Sequence, residues 1–103
     1  MLNMLIATFP MESTDKAVET FLDNMANDPF PDFVEMTALY SHWGDAGVKT
    51  YTIYDIKEGK VDEGIMEITR RMARFRSVKG YTIESEIILP LEAALSVIDK
   101  EMP

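Results

Sequence analysis

The apolar residues of this chain recur at two different spacings, and the order in which the spacings alternate limits the possible folds. Leu2–Phe9 is a short apolar segment followed by Pro10, which is typical of a β-strand. Ser13, Thr14 and Asp15 then offer side chains that cap helix N-termini. The next apolar residues have the spacing of an amphipathic helix of about three turns: Val18, Phe21, Leu22 and Met25.

The middle of the chain is typical of a β-hairpin. The two prolines of Asn27–Asp32 end the helix, and Phe33–His42 alternates between apolar and polar residues, with Leu39 as the exception. Gly44–Gly47 is a turn sequence, and Val48–Lys57 is rich in Tyr, Thr and Ile. The alternation places one set of side chains on a common strand face: Val34, Met36, Ala38, Tyr40 and His42.

The last part of the chain predicts a helix, a strand and a short helix. Asp62–Ser77 carries a narrow apolar stripe, and Gly80 is placed to end this second helix. The stripe consists of Val61, Ile65, Ile68, Met72 and Phe75. Tyr81–Leu89 alternates like a strand, and Leu91, Ala94, Leu95 and Ile98 follow Pro90 at helical spacing.

The strand faces predict the topology. The first and third strands are apolar on both faces and are expected to be central, whereas the second and fourth alternate and are expected at the edges. The resulting order 4-1-3-2 is that of a ferredoxin-like βαββαβ fold, so we expect one α+β domain over residues 1–103 with an antiparallel sheet and a short C-terminal helix. The face without helices should expose Phe9, Leu39 and either Tyr51 or Ile53.

Such an open face predicts a partner. The simplest one is a second copy, and we expect a homodimer made sheet to sheet. The C-terminal helix covers either its own sheet or a partner, and the sequence leaves both arrangements open.

The element order, the length and the two-faced central strands resemble the dimeric α/β-barrel superfamily of ferredoxin-like domains. The run Tyr81–Leu89, followed by Pro90–Ala94, is similar to the ending of small uncharacterised members of that group. The resemblance implies the fold and the dimer. It carries no catalytic motif, because fold alone does not fix function.

Composition excludes several classes of function. A net charge of −8 disfavours nucleic acid and anionic membranes as partners. The chain has no cysteine and one histidine, so we expect no metal site, no disulfide and no cofactor. Its apolar runs are shorter than a membrane span and its start lacks the features of a signal peptide, so we expect a cytoplasmic protein.

The candidate site residues fall into two groups. His42 is the candidate catalytic acid or base, in an aromatic neighbourhood with Tyr40 and Trp43. These two aromatic residues and Tyr54 are the candidates for contact with a ligand. The second group is basic: Arg70 and Arg74 are candidates for an anion site, although positive charge at a helix end and pairing with Glu63 and Glu67 explain the cluster without one.

The sequence leaves three functional hypotheses open. The first is a ferredoxin-like homodimer that binds a small molecule between sheet and helices. The second is a cofactor-free enzyme acting on a small, partly apolar compound, with Tyr40, His42 and Tyr54 lining the pocket. The third is a protein-interaction module.

Overall fold

The computed structural model describes residues 1–103 and contains four strands and three helices. The strands are β1 (Leu2–Phe9), β2 (Val34–Gly44), β3 (Gly47–Ile56) and β4 (Thr82–Ile88), and the helices are α1 (Thr14–Asn27), α2 (Val61–Met72) and α3 (Leu91–Ser96). All neighbouring strands are antiparallel, and the sheet order is β2-β3-β1-β4. The predicted ferredoxin-like order is therefore confirmed, including the short C-terminal helix.

One face of the sheet packs against α1 and α2, and we call it the helix face. Burial along β1 alternates, and its buried residues are Asn3, Leu5, Ala7 and Phe9. Phe9 was expected on the opposite, open face, and that prediction is wrong. Its ring lies among Ala17 of α1 and Phe75 and Val78 beyond α2, because the strand period of two fixes it on the side of Leu5.

The open face has an apolar centre. Its β1 residues are Leu2, Met4 and Ile6. Tyr51 and Ile53 of β3, which were predicted on this face, pair with Ile6 and Met4 of β1. The smallest dimension of the molecule is 17 Å, which accommodates one sheet and one helix layer. No helix in the structure has both the length and the apolar character needed to cross a membrane.

A β-bulge in β2 changes which side chains share a face. The register with β3 shifts between Met36 and Ala38, so no residue of β3 lies opposite Thr37 in the strand pairing. Val34 and Met36 consequently lie on the helix face, while Ala38, Tyr40 and His42 lie on the open face. The predicted single face for these five residues is wrong, and Leu39, expected on the open face, pairs with the buried Thr52 on the helix face.

The helices depart from prediction at their ends and in α1. Ser13 makes no side-chain cap, since its hydroxyl donates to the Lys79 carbonyl (2.6 Å) and ties the start of α1 to the loop before β4. The helix α2 stops at Met72 and continues as a 3₁₀ turn, Ala73–Ser77, a tightening common at helix ends. Its predicted apolar stripe faces the core, whereas in α1 only Ala17 and Asn24 are buried.

Candidate functional site

A cavity of about 510 Å³ separates α1 from the helix face of the sheet. It exists because the strand residues below α1 are short: Ala7, Ser41, Thr50 and Thr52 all line it. Phe21 of the α1 apolar stripe packs against the core around Phe9, whereas other residues of the stripe face the cavity. Val18 and Met25 line the cavity and keep about half of their surface accessible, at 45% and 53%.

Two buried hydroxyl groups interrupt the apolar wall. Thr52 and Tyr54 are only 8% and 4% exposed, and both line the cavity from the same face of β3. Neither hydroxyl forms a hydrogen bond within the chain, and neither oxygen is sealed inside the protein, since Asn3 Oδ1 is the one buried polar side-chain atom without a partner. Buried tyrosines normally bond their hydroxyl, so these two groups can do so only in the cavity.

The tyrosines at the cavity are held in the protonated state. Burial raises the pKa of Tyr54 to about 12, although the nearby Arg71 charge acts in the opposite direction. The Phe30 ring contacts Tyr54 edge to face, with centroids 5.2 Å apart. Burial also raises the pKa of Tyr81, whose ring stacks on Phe75 at 4.6 Å at the other end of the cavity. Both hydroxyls are therefore neutral hydrogen-bonding groups at any physiological pH.

Arg71 is the charged group placed deepest at the cavity. It is 3% exposed, and all five of its N–H donors are used. Nε donates to the Asp28 carbonyl (2.8 Å), and Nη2 donates to Asp28 Oδ1 (3.1 Å) and the Pro29 carbonyl (2.8 Å). Nη1 donates to the carbonyl and the carboxylate of Glu67 at 2.7 and 2.6 Å.

Asp28 also forms ion pairs with the neighbouring arginines. Its carboxylate also accepts from Arg70 (2.7 Å) and lies 2.7 Å from Arg74, so three guanidinium groups meet at one side chain. The hydrogen bond from Arg70 is the largest cause of a lowered Asp28 pKa, followed among the favourable causes by the bond from Arg74. The charges of this cluster are thus largely compensated within the protein.

The structure separates the predicted site residues. Tyr54 lies in the cavity wall, and Tyr40 touches the rim, although its position opposite Tyr51 places it on the open face and it is 70% exposed. Trp43 is exposed, with its indole nitrogen donating to Ser41 Oγ at 3.3 Å. His42 is exposed on the open face, beside a shallower depression that it shares with Lys49 and Tyr51.

The two predicted arginines lie outside the cavity. Arg70 is bound by Asp28 and Glu67, and Arg74 by Asp28 and Asn24 (2.6 Å). The arginine that reaches the cavity is Arg71. No three side chains of the His, Cys, Asp or Glu type come close enough together to hold a metal ion.

Sequence reasoning missed most of the cavity. Thr52 lies in the predicted third strand, and its spacing of two from Tyr54 was the available signal that both hydroxyls share a face. Asn24 and Asp28 gave no signal, because their partners lie more than forty residues away along the chain.

The comparisons with known proteins give no family assignment. No protein-family model matches the chain, and no curated protein matches it significantly.

Proposed function

We propose that the protein binds a small, largely apolar molecule in the cavity between α1 and the sheet, and that it acts as a homodimer of the dimeric α/β-barrel kind. The observation that carries the first part is the cavity itself: about 510 Å³, with the unbonded hydroxyl groups of two buried residues, Thr52 and Tyr54, in a mainly hydrophobic wall. This size and this lining are typical of pockets for small organic ligands.

Binding is favoured over catalysis by the protonation of the cavity groups. A general acid or base works best with a pKa near neutrality. The pKa of Asp28 is lowered and that of Tyr54 is raised, so both are moved away from neutrality. His42, the candidate base of an enzyme, lies on the other face of the sheet, so a cofactor-free reaction in this cavity would proceed without it.

The shape of the chain supports the homodimer. Its Cα radius of gyration is 15.5 Å, larger than the roughly 13 Å of a compact chain of this length. Only 18 of 103 residues are buried, so much apolar surface stays available for a partner. On the open face, Lys49 of β3 lies on one side of β1, and Glu84 and Glu86 of β4 lie on the other side. A two-fold axis along β1 would place β3 of one copy opposite β4 of the other, so these opposite charges would lie on facing strands.

A protein-interaction module is the second candidate. The C-terminal segment exposes large apolar side chains, with Leu91 at 59%, Val97 at 77% and Ile98 at 62%. In α3 no residue is buried. Such a segment is typical of a helix that packs on another chain.

The cavity is tested by closing it. Val18→Trp places a large ring in the cavity, whereas Leu22→Trp, on the same helix and 58% exposed, adds the same ring outside it. We expect wild type and Leu22→Trp to bind the neutral apolar dye N-phenyl-1-naphthylamine with a rise in fluorescence at one site per chain. Val18→Trp should lose at least tenfold in affinity. Equal binding by all three proteins would contradict the proposal.

A further inference from the structure

The polar groups of the cavity restrict the chemistry of its ligand. Thr52 and Tyr54 are two residues apart on β3, so their side chains leave the strand about 7 Å apart on the same face. Both are more than nine-tenths buried, and both lack a partner within the chain. A ligand that left them unbonded would forfeit the free energy of two hydrogen bonds in an environment of low dielectric constant.

The positively charged group at the cavity is already occupied. Arg71 is the guanidinium that borders it, and its five donors bind Asp28, Pro29 and Glu67. The Phe30 ring covers one face of the same guanidinium, 4.3 Å from its centre. A carboxylate or phosphate entering the cavity would have to displace one of these bonds, and it would also meet the carboxylates of Asp28 and Glu35, which line the cavity.

From this arrangement we infer that the ligand is uncharged, with a mainly hydrocarbon or aromatic body and a carbonyl or hydroxyl oxygen that bonds Tyr54 and Thr52. This inference rests on the proposed function, since it specifies the ligand of the same cavity. Tyr54 donates to the oxygen, because burial keeps its proton in place. Thr52 donates to the same oxygen or accepts from a ligand hydroxyl.

Three probes of one ring size test the inference: naphthalene, 2-acetylnaphthalene and 2-naphthoate. They carry no polar group, a neutral carbonyl and an anion, respectively. Dissociation constants are measured at pH 7 by displacement of N-phenyl-1-naphthylamine from wild type. We expect 2-acetylnaphthalene to bind at least tenfold more tightly than 2-naphthoate, and more tightly than naphthalene.

Two near-isosteric variants identify the groups responsible. Thr52→Val and Tyr54→Phe should each weaken 2-acetylnaphthalene by about fivefold to tenfold and leave naphthalene unchanged. Circular dichroism verifies that each variant is folded, and either variant alone is sufficient if the other fails to fold. Variants that bind the ketone like wild type would overturn the role of the hydroxyls.

The outcomes separate this inference from the proposed function. If 2-naphthoate binds as tightly as the ketone, and Val18→Trp abolishes both, the ligand class is wrong while the cavity remains a binding site. If no probe binds, or if Val18→Trp changes nothing, the proposed function itself is wrong.

Discussion

At the scale of single residues, Asp28 connects several parts of the fold, and its position in the sequence gives no indication of this role. It stands directly after α1, and its carboxylate is bound by Arg70, Arg71 and Arg74. This one side chain therefore connects the end of α1 to α2 and to the turn that follows it. Because the cavity lies between α1 and the sheet, Asp28 also fixes one end of the cavity wall.

The Asp28 network predicts a loss of stability in acid. The pKa of Asp28 and that of Glu67 are both lowered by hydrogen bonds from arginines. A carboxyl group with a lowered folded-state pKa stabilises the fold fully above its unfolded pKa, near 4, and the contribution is lost as pH falls through the folded-state value. We expect the urea midpoint to be level from about pH 7 to 5 and to fall below that.

The variant Asp28→Asn isolates this contribution. It should be less stable than wild type at pH 7, and its urea midpoint should fall less steeply between pH 5 and 2. Asp45→Asn, in the exposed hairpin turn, is the matched control, and its urea midpoint should change with pH as that of wild type does. Parallel curves for wild type and Asp28→Asn would show that the network does not govern acid stability.

The same cluster shows how far residue-level prediction reaches. The helical spacing of Glu67 to Arg70 and Arg71 predicted two ion pairs, and both are present at 2.7 and 2.6 Å. Glu63, the other predicted partner, lies 3.6 Å from Lys60 instead. Asp28 was missed because its contacts depend on how α1 and α2 are arranged, and no local spacing encodes that.

At the scale of elements, α2 lies unusually close to β3. A Cβ atom on Gly64 would lie 2.5 Å from Cγ2 of Ile56, a fully buried residue of β3. At Gly64 the backbone of the helix therefore comes into contact with the sheet, and the hydrogen bond from its N–H to the Lys60 carbonyl (2.8 Å) belongs to the first turn of α2.

Replacing Gly64 by alanine should destabilise the protein despite better helix propensity. The propensity gain is about 1 kcal/mol, whereas overpacking a filled core costs typically about 1–3 kcal/mol. We expect a net loss of up to about 2 kcal/mol in the free energy of unfolding, measured by urea denaturation. In an Ile56→Ala background the clash disappears, so the same substitution should be neutral or stabilising there. An equal loss in both backgrounds would exclude the clash as the cause.

The bulge in β2 shows why strand faces are harder to predict than strands. The alternation of Phe33–His42 correctly indicated a strand, and Leu39 was its one exception. That exception marks the shift: beyond Thr37 the side chains change faces, so Leu39 joins the helix face. A single extra residue reverses every later side chain, because the strand period is two.

At the scale of the whole molecule, the open face determines the expected assembly. Standard stable interfaces bury about 800 Å² on each partner. The open face offers Met4, Ile6, Tyr51 and Ile53 at its centre, and the exposed C-terminal segment adds further apolar surface. We therefore expect a dimer in solution.

A single lysine tests this expectation. Ile53→Lys puts a charge in the middle of the open face, and we expect it to convert a dimer into a monomer in analytical ultracentrifugation at micromolar concentration. Met66→Lys, on α2 and 69% exposed, is the matched control and should remain dimeric. A wild-type protein that sediments as a monomer would contradict the homodimer.

The sequence by itself determined the order of the elements and the order of the strands, because periodicity and turn chemistry are local and because central strands must be apolar on both faces. The tertiary structure alone decided what lies between the layers. The cavity lies where short strand residues such as Ala7 and Thr52 leave a distance between the sheet and α1, whose C-terminal end Asp28 binds to Arg71 of α2. That distance depends on contacts between residues far apart in the chain, and no local pattern records it.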